Sequence, residues 1–264
     1  MSNSAVTVSI DDRGVAVVTL DRPEKHNAFD DGMIAGLRTA FDQLATDDGV
    51  RVVVLASEGK SFSAGADLGW MKRMAEYDYQ HNLADARLLA DMLKALYDIP
   101  QPTIARVQGA AFGGAVGLVS CCDMAVASER ASFSLSEVRI GLVPATISPY
   151  VIRAMGERAA GRYFTTAERF SAEEAHRLGL VSEVVAEDGL DIALDHLLNT
   201  VLQNGPLAVR EAKRLVHDVA GHPITPALVE GTCELIARIR TSDEGQEGLG
   251  AFLNKRTPDW SSNS

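Results

Sequence analysis

The chain has 264 residues, 46% of them hydrophobic, and a formal net charge of −11. Mean hydropathy is near zero, and no apolar run approaches the roughly 20 residues of a membrane span, so the composition points to a globular chain with an ample core and away from a membrane protein. The dispersed acidity disfavours general nucleic-acid binding, which needs clustered Lys and Arg. Three cysteines, two of them adjacent at Cys121 and Cys122, make no disulfide framework, and a start without basic and apolar signal regions adds to the expectation of a reduced, cytoplasmic setting.

In chain order, Val15–Leu20 is a β-branched run that reads as a strand ending in Asp21-Arg-Pro, and the polar, basic Lys25-His-Asn-Ala follows it. Apolar residues at Met33, Leu37, Phe41 and Leu44 have helical spacing. Val50–Ala56 is nearly continuous in apolar residues, as in a strand covered on both faces. Strand, helix, strand in this order predicts parallel pairing. The small residues Ser61-Phe-Ser-Ala-Gly-Ala-Asp67 then rise out of the second strand. Two familiar motifs fail here. Gly59-Lys60-Ser61 imitates the end of a phosphate-binding loop, but Val54 stands where its first glycine belongs, and Ser63 lacks the preceding glycine of a nucleophile elbow.

Tyr77–Tyr97 is a long amphipathic segment with an apolar stripe through Leu83, Leu88, Leu89, Met92, Leu93 and Leu96. After Pro100 and Pro102, Thr103–Gln108 reads as extended and Gly109 as a turn. Gly113 and Gly114 then open a charge-free run to Cys122, predicting a helix that other elements enclose. Its first N–H groups have no intrahelical partner, so a bare glycine there can present an amide to an anion. The spacing of Gly109, Gly113 and Gly114 does not match a dinucleotide fingerprint. Met124–Ser128 and Ser132–Ser136 read as short strands, with Glu137 directly after. From Ser148 the pattern is almost wholly helical, with a helix from Ala172 stopped by Gly179 before a brief strand, candidates at Leu190–Gln203, Pro206–Val219 and Pro226–Arg240, and a last helix running from the capping Ser242 to Lys255 and Arg256. The architecture is therefore an α/β first half joined to a helical tail.

Four stretches stand together: Arg22-Pro-Glu-Lys-His-Asn-Ala28, Phe62-Ser-Ala-Gly-Ala-Asp67, the glycine run through Cys122-Asp123, and Phe133 through Gly141. In this order and spacing they resemble the crotonase superfamily, the enoyl-CoA hydratase/isomerase family, and the likeness continues to Phe252-Leu-Asn-Lys-Arg. Within it, Ala66–Met74, Leu135–Pro144 and Glu244-Gly-Gln-Glu-Gly look most like bacterial methylglutaconyl-CoA hydratases of leucine breakdown.

That resemblance implies an α/β spiral of ββα units, with an acyl-CoA-binding core over residues 1–200 and a helical oligomerisation region over 201–264. Such a chain would form a homotrimer or a dimer of trimers, with no nucleic-acid or membrane partner. It implies no metal and no separate cofactor, coenzyme A being part of the substrate. Motif for motif, the amides of Ala64 and Gly114 fall on the family's oxyanion hole, and Glu137 on its second catalytic glutamate. The first glutamate would lie three residues beyond Gly114, where this chain has Gly117. Three residues is nearly one helical turn, so Gly117 is expected to face the same pocket and to leave space for a branched or carboxylated acyl group. Lys72, Arg73 or Arg87 would then meet a distal carboxylate. Arg22, Lys25 and Ala28, with Ala66, Asp67 and Leu68, match the substrate-binding stretches; Lys255 would reach CoA phosphates of a neighbouring chain. Trp70, Met71 and Met74 are candidates for the acyl pocket, while Asp67 is expected to shape its turn and Cys121 and Cys122 to be core. The leading activity is hydration of a short branched enoyl-CoA. A Δ3,Δ2-enoyl-CoA isomerase, needing one proton shuttle, and a general short-chain enoyl-CoA hydratase are the alternatives. RNA binding, known for a relative of this subgroup, is disfavoured by the charge.

Overall fold

The computed structural model describes residues 5–261; the opening residues that bear on the cytoplasmic expectation lie partly outside this range. A hairpin, β1 (Val6–Ile10) and β2 (Val15–Leu20), leads through a loop to helix α1 (Asp31–Ala45), whose N-cap Asp30 accepts from the Met33 amide at 2.9 Å. Then β3 (Val52–Ser57), β5 (Thr103–Val107) and β7 (Met124–Ser128) each pass into a short partner strand: β4 (Ser61–Ser63), β6 (Ala110–Phe112) and β8 (Ser132–Ser134). After each pair the chain turns into helix: α2 (Leu68–Glu76) with α3 (Tyr79–Asp98), α4 (Gly114–Cys121), and α5 (Ser148–Met155) with α6 (Glu157–Thr166). This repeating strand–strand–helix advance is the expected spiral.

The long strands form one sheet in the order β1-β2-β3-β5-β7-β10, where β10 is Glu183–Val185. The short ones form a second, β4-β6-β8-β9, closed by β9 (Arg169–Ser171). Pairing of β2 with β3 is parallel, as the strand–helix–strand order predicts. Every residue of β3 is buried, which accounts for its unbroken apolar sequence. The core gathers Leu20, Phe41, Leu55, Leu93 and Phe133 between the sheets and helices. Helix α4 sits inside it, with every residue after Gly114 buried.

The tail is helical: α7 (Ala172–Arg177), α8 (Leu190–Leu202), α9 (Pro206–Val219), α10 (Pro226–Thr241) and α11 (Asp243–Leu253). The last helix is capped by Ser242 as predicted but stops at Leu253, two residues before Lys255, where the backbone turns to positive φ. The sequence reading also misses α2 and the break between α5 and α6 at Gly156, whose φ of 79° interrupts a continuous helical pattern.

No helix among the described residues is long and apolar enough to cross a membrane.

Candidate active site

The Arg22–Ala28 loop docks on the stretch after β4 through backbone bonds. The Ala64 N–H donates to the His26 carbonyl at 2.9 Å, the Phe29 N–H to Gly65 at 2.7 Å, and the Asp67 N–H to Phe29 at 2.8 Å. Asn27, fully buried, holds this loop in shape: its side-chain amide donates to the carbonyls of Glu58 and Ser61, and its oxygen accepts from the Arg22 amide. Both His26 and Asn27 adopt positive φ. Only the polar run Lys-His-Asn signalled Asn27 in the sequence, and that run does not separate a buried organiser from a solvated loop residue.

These bonds correct one expectation. The Ala64 amide is already used by His26 and is not free to receive an oxyanion. Along an extended segment successive peptide groups face opposite sides. With the Gly65 carbonyl and the Asp67 N–H both turned toward Phe29, the Ala66 N–H turns away. No acceptor for it occurs among the described residues. Gly114, first residue of α4, has an amide without an intrahelical partner. Ala66 and Gly114 line the same cleft of 760 Å³.

Gly113 precedes α4 at φ 55°, ψ −121° and donates to the Ser134 carbonyl at 2.8 Å. A Cβ built there would lie 3.1 Å from Oε1 of Glu137, so glycine is required both by the backbone conformation and by the approach of that carboxylate. Glu137 follows β8 at the start of a 3-10 turn, Glu137–Ile140. Its Oε2 is buried with no hydrogen-bond partner, and burial raises its pKa above the ordinary carboxylate value. Pairing with Arg139, the bland role for such a glutamate, does not occur: the Arg139 guanidinium donates to the Ala167 carbonyl at 2.7 Å.

Gly117 is the second correction. It faces no empty space. A Cβ there would lie 2.2 Å from Cγ2 of Ile147 and 3.5 Å from Cδ2 of Leu93. Ile147, buried at the N-terminus of α5, fills the volume that a larger residue at 117 would need, and it lines the cleft in place of the glycine. The sequence held no sign of this, because the contact joins residues 30 positions apart.

The remaining candidates divide by their partners. Trp70, Met71 and Met74 line the cleft, and the Trp70 indole donates to Asp85 at 3.0 Å. Asp67 caps α2, accepting from Gly69 and Trp70, and is paired with Lys25 at 3.4 Å. Arg22 is ion-paired with Asp30 and largely enclosed, so it offers no free cation. Ala28 is buried. Leu68 is 75% exposed at the start of α2. Lys255 is exposed just beyond α11. The cations expected to meet a substrate carboxylate are elsewhere: Arg73 pairs with Asp31, and neither it nor Lys72 nor Arg87 lines the cleft. His81 is exposed and bonded to Asp78. Cys121 is buried and Cys122 largely so, and burial pushes the Cys122 thiol up to about 12; both are inert core groups.

A model of the family "Enoyl-CoA hydratase/isomerase" matches residues 11–263. The chain belongs to the enoyl-CoA hydratase/isomerase family. Solved enoyl-CoA hydratases share the fold closely. That of Shewanella pealeana is 47% identical, with a TM-score of 0.93 over 97% of this chain and 96% of its own. That of Mycobacterium smegmatis is 35% identical, with a TM-score of 0.92 over 97% and 98%. The 2,3-dehydroadipyl-CoA hydratase of Escherichia coli K12 is 33% identical over 248 residues, 93% of this chain and 94% of that one.

Proposed function

We propose that this member of the enoyl-CoA hydratase/isomerase family adds water across the 2,3 double bond of a short branched enoyl-CoA, with methylglutaconyl-CoA as the leading substrate. The observation that carries the reading is Glu137: a half-buried carboxylate with an unpartnered oxygen, in a cleft that also holds the unpaired amides of Ala66 and Gly114. In the proposed step the carboxylate takes a proton from water as its oxygen attacks C3. The π electrons move through C2 onto the thioester oxygen, and the resulting enolate oxygen accepts hydrogen bonds from the Ala66 and Gly114 amides. The Glu137 carboxyl then returns its proton to C2 as the carbonyl re-forms. Water is added, and the carboxylate is restored. Fixed amide donors stabilise the enolate without reorganising, each worth about 2.7–4 kcal/mol in comparable sites. A carboxylate whose pKa burial raises is a better proton acceptor than an ordinary one, which suits the first half of this exchange.

The motif resemblance supports the methylglutaconyl group, and so does the E. coli relative, whose name carries a dicarboxylic acyl group. Self-association is part of the proposal. Helices α9 and α10 contain no buried residue, and Ile236, Phe252 and Leu253 stand exposed on the tail, an apolar surface suited to other copies of the chain. Sedimentation at micromolar protein should give a trimer or hexamer; a monomer would remove this part.

One observation favours a second reading, double-bond isomerisation. Ile147 occupies the room for another carboxylate, and isomerisation needs a single proton shuttle. Incubating the protein with short enoyl-CoAs in ¹⁸O-labelled water separates the two. Label in a 3-hydroxyacyl product supports hydration, whereas migration of the double bond without label overturns it.

A further inference from the structure

The charged side chains that line the cleft form no ion pair with one another. Its acids are Glu137 and Asp85, and its cations are Arg139 and Arg169. The Arg139 guanidinium bonds the Ala167 carbonyl at 2.7 Å, which holds it at the turn from which Arg169 projects two residues later. The Arg169 guanidinium is folded back over the Phe112 ring, 4.8 Å from its centroid. Glu168 lies between Ala167 and Arg169 but is turned to Arg162, at 2.6 Å. Among the described residues no carboxylate pairs with either cleft arginine. Both arginines are exposed, line the cleft and lack a carboxylate partner, so their remaining guanidinium N–H groups are available to an anion in the cleft.

The second sheet says which end of a substrate would bring the anion. Its strands run β4-β6-β8-β9, with neighbours about 4.8 Å apart. The Lys25 loop and Ala66 stand at the β4 edge, and Gly114 follows β6. Glu137 follows β8, and Arg169 opens β9 at the far edge. Phe112, Ser134 and Arg169 are in register across the last three strands. If the thioester carbonyl lies at the β4–β6 end and the reacting carbons near Glu137, the arginines stand beyond the reacting carbons, on the side away from the Lys25 loop. We infer that Arg169, with Arg139, forms a subsite for an anionic group, a carboxylate, at the distal end of the acyl chain. The inference rests on the proposed placing of the carbonyl, and it assigns to two cleft arginines the role that the sequence reading gave to Lys72, Arg73 or Arg87.

Two measurements on the full-length protein test it. The first is turnover of glutaconyl-CoA and of 2-pentenoyl-CoA, which differ in the terminal carboxylate, by wild type, Arg169→Gln and Arg169→Lys. Charge-assisted bonds of this kind correspond to about 10- to 100-fold in affinity. Arg169→Gln should lose about that factor in kcat/KM for glutaconyl-CoA alone, and Arg169→Lys should retain part of it. The second is calorimetric binding of glutaryl-CoA and pentanoyl-CoA, which cannot be hydrated and so report on the subsite even if the hydratase reading fails. Wild type should favour glutaryl-CoA and Arg169→Gln should not. The same acyl pairs on pantetheine, which lacks the CoA phosphates, separate the two sources of anion. A preference that persists there supports the acyl carboxylate. Equal weakening of both CoA esters in Arg169→Gln, with no effect on the pantetheine esters, would assign the arginine to a CoA phosphate and overturn the inference, as would an unchanged glutaryl preference.

Discussion

Gly114 and Gly117 sit nearly one helical turn apart on the same buried helix, and by sequence both are expected to face one pocket. Their surroundings differ. Gly114 leads α4 from the cleft wall, its amide unpaired and its missing Cβ 3.2 Å from the Phe29 ring. Gly117 is closed in, with Ile147 occupying the position of any side chain it could carry. A small residue can therefore mark an opening or a filled contact. The helix leaves the Gly114 amide unpaired at the cleft and gives its second turn to packing, and Glu137, the proposed proton carrier, has no second carboxylate beside it from the helix.

The largest effects are expected on the open side. Glu137→Gln should lower kcat by about 10²- to 10⁴-fold while binding of a saturated acyl-CoA is kept, which single-turnover kinetics and calorimetry would check. Near-wild-type turnover would move the chemistry off Glu137.

The amide assignment can be broken next. Replacing the Ala66 peptide N–H by an ester oxygen should cost about 10²- to 10³-fold in kcat. The same replacement at Ala64 should spare kcat and cost about 1 kcal/mol of stability through the lost bond to His26. Reversal of that pattern would restore Ala64 as the donor.

On the closed side, Gly117→Ala should destabilise by about 1–3 kcal/mol through overpacking, although glycine to alanine inside a helix ordinarily stabilises by up to about 1 kcal/mol. Ile147→Gly should relieve most of this in the double variant. Denaturant unfolding of the four proteins measures the coupling, and additive effects would contradict the contact between these residues.

The smallest effect is a pH dependence. Burial holds the Glu137 pKa above its unfolded value, so the folded state binds this proton more tightly than the unfolded chain does. The resulting stabilisation is complete below the unfolded value and is lost as pH rises through the raised one. Glu137→Gln removes that loss. The variant should gain in Tm relative to wild type as pH rises across this window, and a gap that stays constant or shrinks would refute the assignment.

The sequence by itself determined what local pattern encodes. The unbroken run of β3 could only be a strand buried on both faces, the spacing of α1 only an amphipathic helix, and the charge-free run after Gly114 an enclosed one. Motif order sufficed for the family and drew attention to Glu137, because that carboxylate follows a strand at a fixed place in the chain. Other features lie in contacts between distant segments. That Ala64 gives its amide to His26, leaving Ala66 free, depends on the docking of a loop 38 residues earlier. Ile147 filling the room beside Gly117 depends on how α5 crosses α4. Arg139 is anchored beside β9 only because its side chain, from the turn after β8, reaches the Ala167 carbonyl before that strand. Hydrogen-bond direction, filled volume and the partner of a charged side chain are set by packing in three dimensions, and residue identity alone carries no record of them.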